Sequence, residues 1–137
     1  TGISRYASKI AKTKIKNFPN RKRQLSTMYQ MVDESISILN SKNTSIDQFG
    51  RLLDDSWRLK KELSDDVSNS HIDEIYGVAR SAGAIGGKIL GAGGGGFMIL
   101  FAKPEHQSDI KKRLNDLLYV PFDFEHSGSQ IILNQRT

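Results

Sequence analysis

Five glycines occupy the six positions 91–96, and no other feature constrains the fold of this 137-residue chain as strongly. Glycine weakens the interior of a helix or a strand by roughly 0.5–1 kcal/mol per residue relative to alanine. The segment "KILGAGGGGFMILF" places the glycines between an apolar stretch that ends at Leu90 and a bulky apolar stretch that begins at Phe97. We therefore predict a loop at residues 91–96, called the glycine loop below, that joins two short strands.

The glycine loop matches the pattern G-x-G-x-x-G but lacks the context that gives this pattern its usual meaning. The dinucleotide fingerprint requires a helix after the glycines, whereas residues 97–101 have the bulky, non-periodic character of a strand. A Walker A loop requires Gly-Lys-Ser/Thr at its end, whereas Lys88 precedes the glycines. Two interpretations stay open: a hairpin that lets two backbones or domains approach closely, or a concavity of backbone amides that binds an anion beside Lys88.

The spacing of apolar residues changes at Gly83. Before it, apolar residues recur with helical spacing and predict four helices, over residues 3–15, 25–39, 46–63 and 72–79. Ser45 and Gln48 form a capping-box pattern that opens the third helix, and Gly83 is suited to end the fourth. Trp57 has the spacing of a core residue, which we favour over a role as a sugar-stacking platform.

After Gly83 the pattern is β-β-α-β-β. Strands are predicted at residues 85–90, 97–102, 120–124 and 130–133, the second of them fully buried, and Pro104 begins a helix. Helices followed by strands indicate an α+β fold with helices packed on one face of a largely antiparallel sheet. We predict a single domain over residues 1–137, mainly helical in 1–83 and β-β-α-β-β in 84–137.

Composition excludes several classes of function. The chain has no cysteine, which excludes disulfides, thiolate metal sites and cysteine nucleophiles. The apolar runs are too short to span a bilayer and no secretory leader is seen, so we expect a cytoplasmic protein without membrane association. His71, His106 and His126 are scattered without metal-ligand spacing, and no metal site is predicted.

Charge is unevenly distributed along the chain. The net charge is +5, and eight basic residues precede the first acidic residue, Asp33. Such a cluster is compatible with a nucleic-acid surface, but aromatic residues do not interleave it as in a base-stacking platform, and we favour a solvated helix face. The acidic pairs Asp54/Asp55 and Asp65/Asp66 are likewise interpreted as solvated or capping residues, because neighbours on a helix point apart.

The segment "GAIGGKILGAGGGGFMILF" resembles the third conserved motif of the GHMP small-molecule kinases. Three further segments, "TGISRYASKI", "LLDDSWRLKKELS" and "VPFDFEHSGSQII", resemble the D-glycero-D-manno-heptose 7-phosphate kinases of that family, to which fucokinases are related. The resemblance runs over essentially the whole chain. It implies a ferredoxin-like antiparallel sheet with additional N-terminal helices, and ATP-dependent phosphorylation of a sugar, here the anomeric hydroxyl of heptose 7-phosphate, for lipopolysaccharide-type surface polysaccharide.

The resemblance also implies where a site would lie. In the family the third motif lies against the nucleotide phosphates and the substrate, which assigns phosphate or substrate binding to Lys88, Gly91, Ala92, Gly93, Gly94, Gly95 and Gly96. Arg5 is a candidate contact to substrate or to another domain, with a plain helix-surface arginine as the alternative.

The family's nucleotide-binding half, with its serine-rich phosphate loop, Mg²⁺ ligand and catalytic groups, has no match in this sequence. We therefore expect no catalytic residue and no metal ligand in this chain, an N-terminal domain as its partner, and no turnover by the chain alone. An unpaired sheet edge predicts some self-association. The alternative from another class is a free-standing ferredoxin-like module that binds a small anion or has a regulatory role.

Overall fold

The computed structural model describes residues 18–130 together with Ser8, Lys12 and Ile15, which have helical backbone conformation. Single 3-10 turns lie at Phe18–Asn20 and Asp65–Val67. The longer elements are, in chain order, helices α1 (Lys22–Asn40), α2 (Asp47–Glu62) and α3 (Ser70–Ser81), strands β1 (Ala84–Ile89) and β2 (Met98–Ala102), and helix α4 (Pro104–Arg113). Helices followed by an antiparallel strand pair confirm the predicted α+β fold.

The two strands form an antiparallel pair on which α2 lies directly. Lys88 is paired with Ile99 and Ile89 with Met98, and a bulge interrupts the register between Ala84 and Gly86. A Cβ atom on Gly86 would stand 1.8 Å from the carbonyl oxygen of Gly50, on α2. The helix backbone therefore touches the strand backbone at this point, which only glycine permits.

The main core lies where α2, α3 and β1 meet the Asp65–Val67 turn. Trp57, Val67, Ile72 and Ile89 are fully buried and contact one another. A second buried cluster, around Ala79, joins the end of α3 to β1 and α4. The prediction that Trp57 is a core residue is therefore confirmed.

Local signals at the ends of the helices are mostly confirmed. Gly83 follows α3 with a φ of 104° and its amide donates to the carbonyl of Arg80, and Pro104 occupies the first turn of α4. The capping box at Ser45 is wrong: the Ser45 hydroxyl accepts from the amide of Asp47 at 3.3 Å. Ile46 already has helical dihedral angles, so the Gln48 amide instead donates to the backbone carbonyl of Ser45.

Two predictions about strands need correction. Residues 97–102 are not fully buried, since Phe97 is 62% exposed and every residue of β2 is half-buried. In the described sheet β2 is an edge strand with a partner on one side only. Residues 120–124 are irregular and exposed rather than a strand, because they pair with neither described strand and alternation alone does not stabilise an extended segment.

Residues 131–133, which were predicted as strand, and most of the predicted first helix lie outside the described residues. None of the helices in the described part of the chain combines the length and the hydrophobicity that crossing a bilayer requires.

Candidate functional site

The glycine loop closes the hairpin between β1 and β2. The amide of Leu90 donates to the carbonyl of Phe97 at 2.8 Å, directly outside the loop. Gly91, Gly93, Gly94 and Gly96 all have positive φ, between 71° and 107°. Side chains disfavour this left-handed region, so the backbone conformation itself accounts for four of the five glycines.

The centre of the loop is fixed against the Asp65–Val67 turn. Gly93 and Gly94 are buried, and the amide of Gly94 donates to the carbonyl of Val67 at 2.8 Å. A Cβ atom on Gly93 would stand 2.8 Å from the same carbonyl oxygen. The Gly94 amide therefore holds the loop in place.

The two ends of the loop have open space on the side where a Cβ atom would lie. Gly91 and Gly96 are exposed, and a Cβ atom on either would meet no atom within 4 Å. Ala92 and Gly95 are half-buried. The loop thus has a centre fixed against Val67 and two ends, called its bare ends below, at which an added side chain would meet no neighbour.

Lys88 lies on β1 just before the loop. Alternation along the strand directs its side chain away from the face that carries the fully buried Ile89. Lys88 is half-buried, and its ammonium forms no ion pair with the residues that the structure describes. The predicted cation is therefore close to the loop in the chain and is not neutralised by a described carboxylate.

Lys60, which is not among the predicted site residues, makes the shortest side-chain hydrogen bond to the loop. Its side chain is buried in the last turn of α2, and Nζ donates to the carbonyl of Ile89 at 3.0 Å and to that of Gly91 at 2.7 Å. The ammonium also lies 5.9 Å from the centre of the Trp57 ring. Lys60 therefore joins α2 to the start of the glycine loop.

A helical-face argument could have found Lys60. Gly50, Asp54, Trp57 and Lys60 follow one another at intervals of three or four residues, and all are buried. The prediction of this helix relied on its bulky apolar residues, Ile46, Phe49, Leu53, Trp57 and Leu63, of which only Trp57 belongs to the buried face described here. Gly50, Asp54 and Lys60 are not bulky apolar residues, so the apolar pattern passed over them.

Asp54 belongs to the same face and was wrongly interpreted as solvated. It is 6% exposed, accepts a 2.5 Å hydrogen bond from the Tyr76 hydroxyl, and pairs with Arg58 at 2.8 Å. Burial, together with the hydrogen bond to Asp54, raises the pKa of Tyr76 far above its usual value. The Asp54–Tyr76 contact connects α2 with α3.

Arg5, the remaining predicted site residue, lies outside the described residues.

The family model for the C-terminal domain of GHMP kinases matches residues 27–120, a range that contains Lys60, Lys88 and the whole glycine loop. The chain belongs to the GHMP kinase family. This GHMP kinase C-terminal domain carries its glycine loop within the matched range, so the family assignment and the site rest on the same part of the chain.

Curated relatives of this GHMP kinase chain include kinases of different substrates. The D-glycero-alpha-D-manno-heptose 7-phosphate kinase of Campylobacter jejuni is 33% identical over 115 residues, which cover 83% of this chain and 34% of the relative. The bifunctional fucokinase/GDP-fucose pyrophosphorylase of Arabidopsis thaliana is 33% identical over 75 residues, 54% of this chain and 7% of the relative. The mevalonate kinase of Thermococcus onnurineus is 38% identical over 89 residues, 63% of this chain and 26% of the relative. The chain therefore spans about a third, or less, of the length of these relatives.

A solved structure shares the fold. The crystal structure of L. major mevalonate kinase in complex with R-mevalonate superposes with a TM-score of 0.69 at 24% identity, over 84% of this chain and 36% of that one. At this identity the likeness establishes the GHMP kinase fold for this chain.

Proposed function

We propose that this chain is the C-terminal part of an ATP-dependent small-molecule kinase, and that its glycine loop lies beside the phosphates of ATP and of the substrate. One observation supports this most strongly. The loop is fixed at its centre by the Gly94–Val67 hydrogen bond, whereas Gly91 and Gly96 leave its ends bare. A two-residue hairpin turn needs at most two residues with positive φ, whereas this loop has four.

Phosphoryl transfer depends on positioning and on stabilising the negative charge of the transferred group. In our proposal the bare ends of the glycine loop admit phosphate oxygens close to the backbone, and the Lys88 ammonium lowers the electrostatic energy of the anion. Among the described residues no group of three acidic or histidine side chains is arranged to hold a metal. We therefore expect the ligands of Mg²⁺ to lie in an N-terminal domain.

For the substrate we propose D-glycero-D-manno-heptose 7-phosphate, phosphorylated at its anomeric hydroxyl to the 1,7-bisphosphate that would feed nucleotide-activated heptose. The heptose phosphate kinase aligns with 83% of this chain, whereas the mevalonate kinase aligns with 63%. A substrate that carries a phosphate also suits a site at which Lys88 forms no ion pair with a described carboxylate.

The test is a substrate panel on the complete protein encoded by the gene. ADP release is measured with ATP, Mg²⁺ and one acceptor at a time: heptose 7-phosphate, fucose or mevalonate. We expect the highest kcat/KM with heptose 7-phosphate. Preference for fucose or mevalonate would overturn the substrate and leave the kinase assignment in place. Absence of phosphoryl transfer to all three would overturn the proposed function.

A further inference from the structure

We propose that Lys60 is a positioning residue that holds the glycine loop in its phosphate-binding conformation, an inference that rests on the function proposed above. The Lys60 ammonium binds the carbonyls of Ile89 and Gly91, which stand on either side of Leu90. The amide of Leu90 closes the hairpin onto Phe97. The three contacts together fix the main chain at the point where β1 becomes the glycine loop.

The contacts of Lys60 affect phosphate binding through electrostatics. A carbonyl oxygen carries partial negative charge and repels a phosphate, so a loop that receives phosphates must turn its carbonyls away from them. Lys60 draws two carbonyls at the start of the loop toward α2. It also places a positive charge beneath the loop, in a buried setting where charge interactions are stronger than in water.

The fold tolerates this buried ammonium because several groups stabilise it. Lys60 lies in the last turn of α2, where the helix dipole favours a cation. The two carbonyls accept hydrogen bonds from the ammonium, and the centre of the Trp57 ring lies 5.9 Å away. Since Gly94 and Val67 hold the centre of the loop independently, loss of Lys60 should loosen mainly the loop's first half.

The first experiment measures hydrogen exchange by mass spectrometry in the complete protein. Lys60→Met keeps the apolar stem and removes the ammonium, and Lys61→Met removes the neighbouring lysine, whose partner is Asp73. We expect Lys60→Met to lower protection of residues 89–92 about tenfold relative to α3, and Lys61→Met to leave it unchanged. Unchanged protection of 89–92, or an equal loss in α3, would overturn the inference.

The second experiment measures steady-state kinetics. We expect Lys60→Met to raise the KM for ATP about tenfold with a smaller fall in kcat, and Lys60→Arg, which keeps a cation with several donors, to recover most of that loss. An arginine variant no better than the methionine variant would overturn the positioning role. If the methionine variant does not fold, Lys60→Gln, a neutral donor, takes its place in both experiments with the same outcomes expected.

The two proposals fail differently. An unchanged KM for ATP in the Lys60 variants, with a raised KM in Lys88→Ala, would overturn the role of Lys60 and leave the kinase site standing. No phosphoryl transfer by the unmodified protein would overturn the proposed function, whatever the exchange experiment shows about the loop.

Discussion

Gly93 is the residue at which the glycine loop comes closest to its support. Its φ of 107° lies where side chains are disfavoured, and a Cβ atom would stand 2.8–2.9 Å from backbone atoms of Val67. Left-handed strain of about 1–2 kcal/mol and overpacking of about 1–3 kcal/mol together predict that Gly93→Ala destabilises the chain by roughly 2–5 kcal/mol. Urea unfolding followed by circular dichroism measures this change.

Gly77 supplies the matched control. It lies in the exposed part of α3, and a Cβ atom there would meet nothing within 4 Å. Gly77→Ala should stabilise the chain by up to about 1 kcal/mol, because alanine is the better helix former. Equal effects at the two glycines would show that the close approach to Val67 does not constrain the loop.

Substitution of Lys88 separates an effect on the proposed phosphate contact from an effect on the stability of the fold. Its ammonium forms no ion pair with a described residue, so Lys88→Ala should change the free energy of unfolding by less than about 0.5 kcal/mol. In the complete protein we expect kcat/KM to fall at least tenfold, about 1.4 kcal/mol. Steady-state kinetics and urea unfolding on the same preparation test both statements.

Lys42 is the control for that substitution. It is exposed in the connection before α2, at the other end of the helix from Lys60. Sixteen helical residues separate these ends by about 24 Å. Lys42→Ala should leave the kinetics unchanged, and an equal loss in both variants would remove Lys88 from the site.

At the scale of elements, the Asp54–Tyr76 contact links α2 to α3. Tyr76→Phe would leave the buried Asp54 carboxylate without one of its donors, and we expect it to lower the free energy of unfolding by about 1–3 kcal/mol. Tyr29→Phe is the matched control, since the Tyr29 side chain is 76% exposed. Similar losses in the two variants would contradict a stabilising role for this contact.

The same contact predicts a pH dependence. The pKa of Tyr76 is raised in the folded chain, by burial first and by Asp54 second, above its usual value of 10.0. As the pH rises past 10, the unfolded chain loses this proton before the folded chain does. This contribution to stability is therefore complete below pH 10 and is lost above it. Unfolding measured from pH 8 to 11 should show a decline above pH 10 that is smaller in Tyr76→Phe.

Local sequence signals predicted the elements well, and long-range contacts explain what they missed. Gly83 and Pro104 act within their own turns, so both were predicted correctly. Asp54 and Lys60 bind partners 22 and 31 residues away. Helical spacing along α2 can place both residues on its buried face, but it does not identify these partners. Residues 120–124 show the converse, because they alternate like a strand but have no described strand beside them.

The candidate site was predicted to a similar extent. The glycine loop could be recognised from the sequence because a run of five glycines in six positions is unusual, and Lys88 could be named because it lies just before that run. The division of the loop into a fixed centre and bare ends could not be named, because it depends on where the Asp65–Val67 turn lies. The sequence therefore located the loop, and the tertiary contacts distinguish its residues.

At the scale of the whole molecule, we expect the 137-residue chain by itself to be catalytically inactive. It spans 34% of the length of the heptose phosphate kinase of Campylobacter jejuni, and phosphoryl transfer requires all positioning groups together. A coupled ADP assay with ATP, Mg²⁺ and heptose 7-phosphate should give no rate above the background hydrolysis of ATP. Turnover comparable to that of the complete protein would contradict this expectation.

The isolated chain should also self-associate weakly through exposed aromatic residues near its C-terminal end. Phe122 and Phe124 are 64% and 82% exposed, and their rings contact each other edge to face. Burying two such rings from each copy would supply about 6–12 kcal/mol, against about 4–15 kcal/mol for the loss of free motion, so association is expected only at high concentration. Light scattering should show an apparent mass that rises with concentration, and the double variant Phe122→Ser/Phe124→Ser should reduce that rise. A monomeric mass at every concentration would contradict the prediction. If the apparent mass rises equally in the double variant, the copies associate through another surface, for which the free edge of β2 is the candidate.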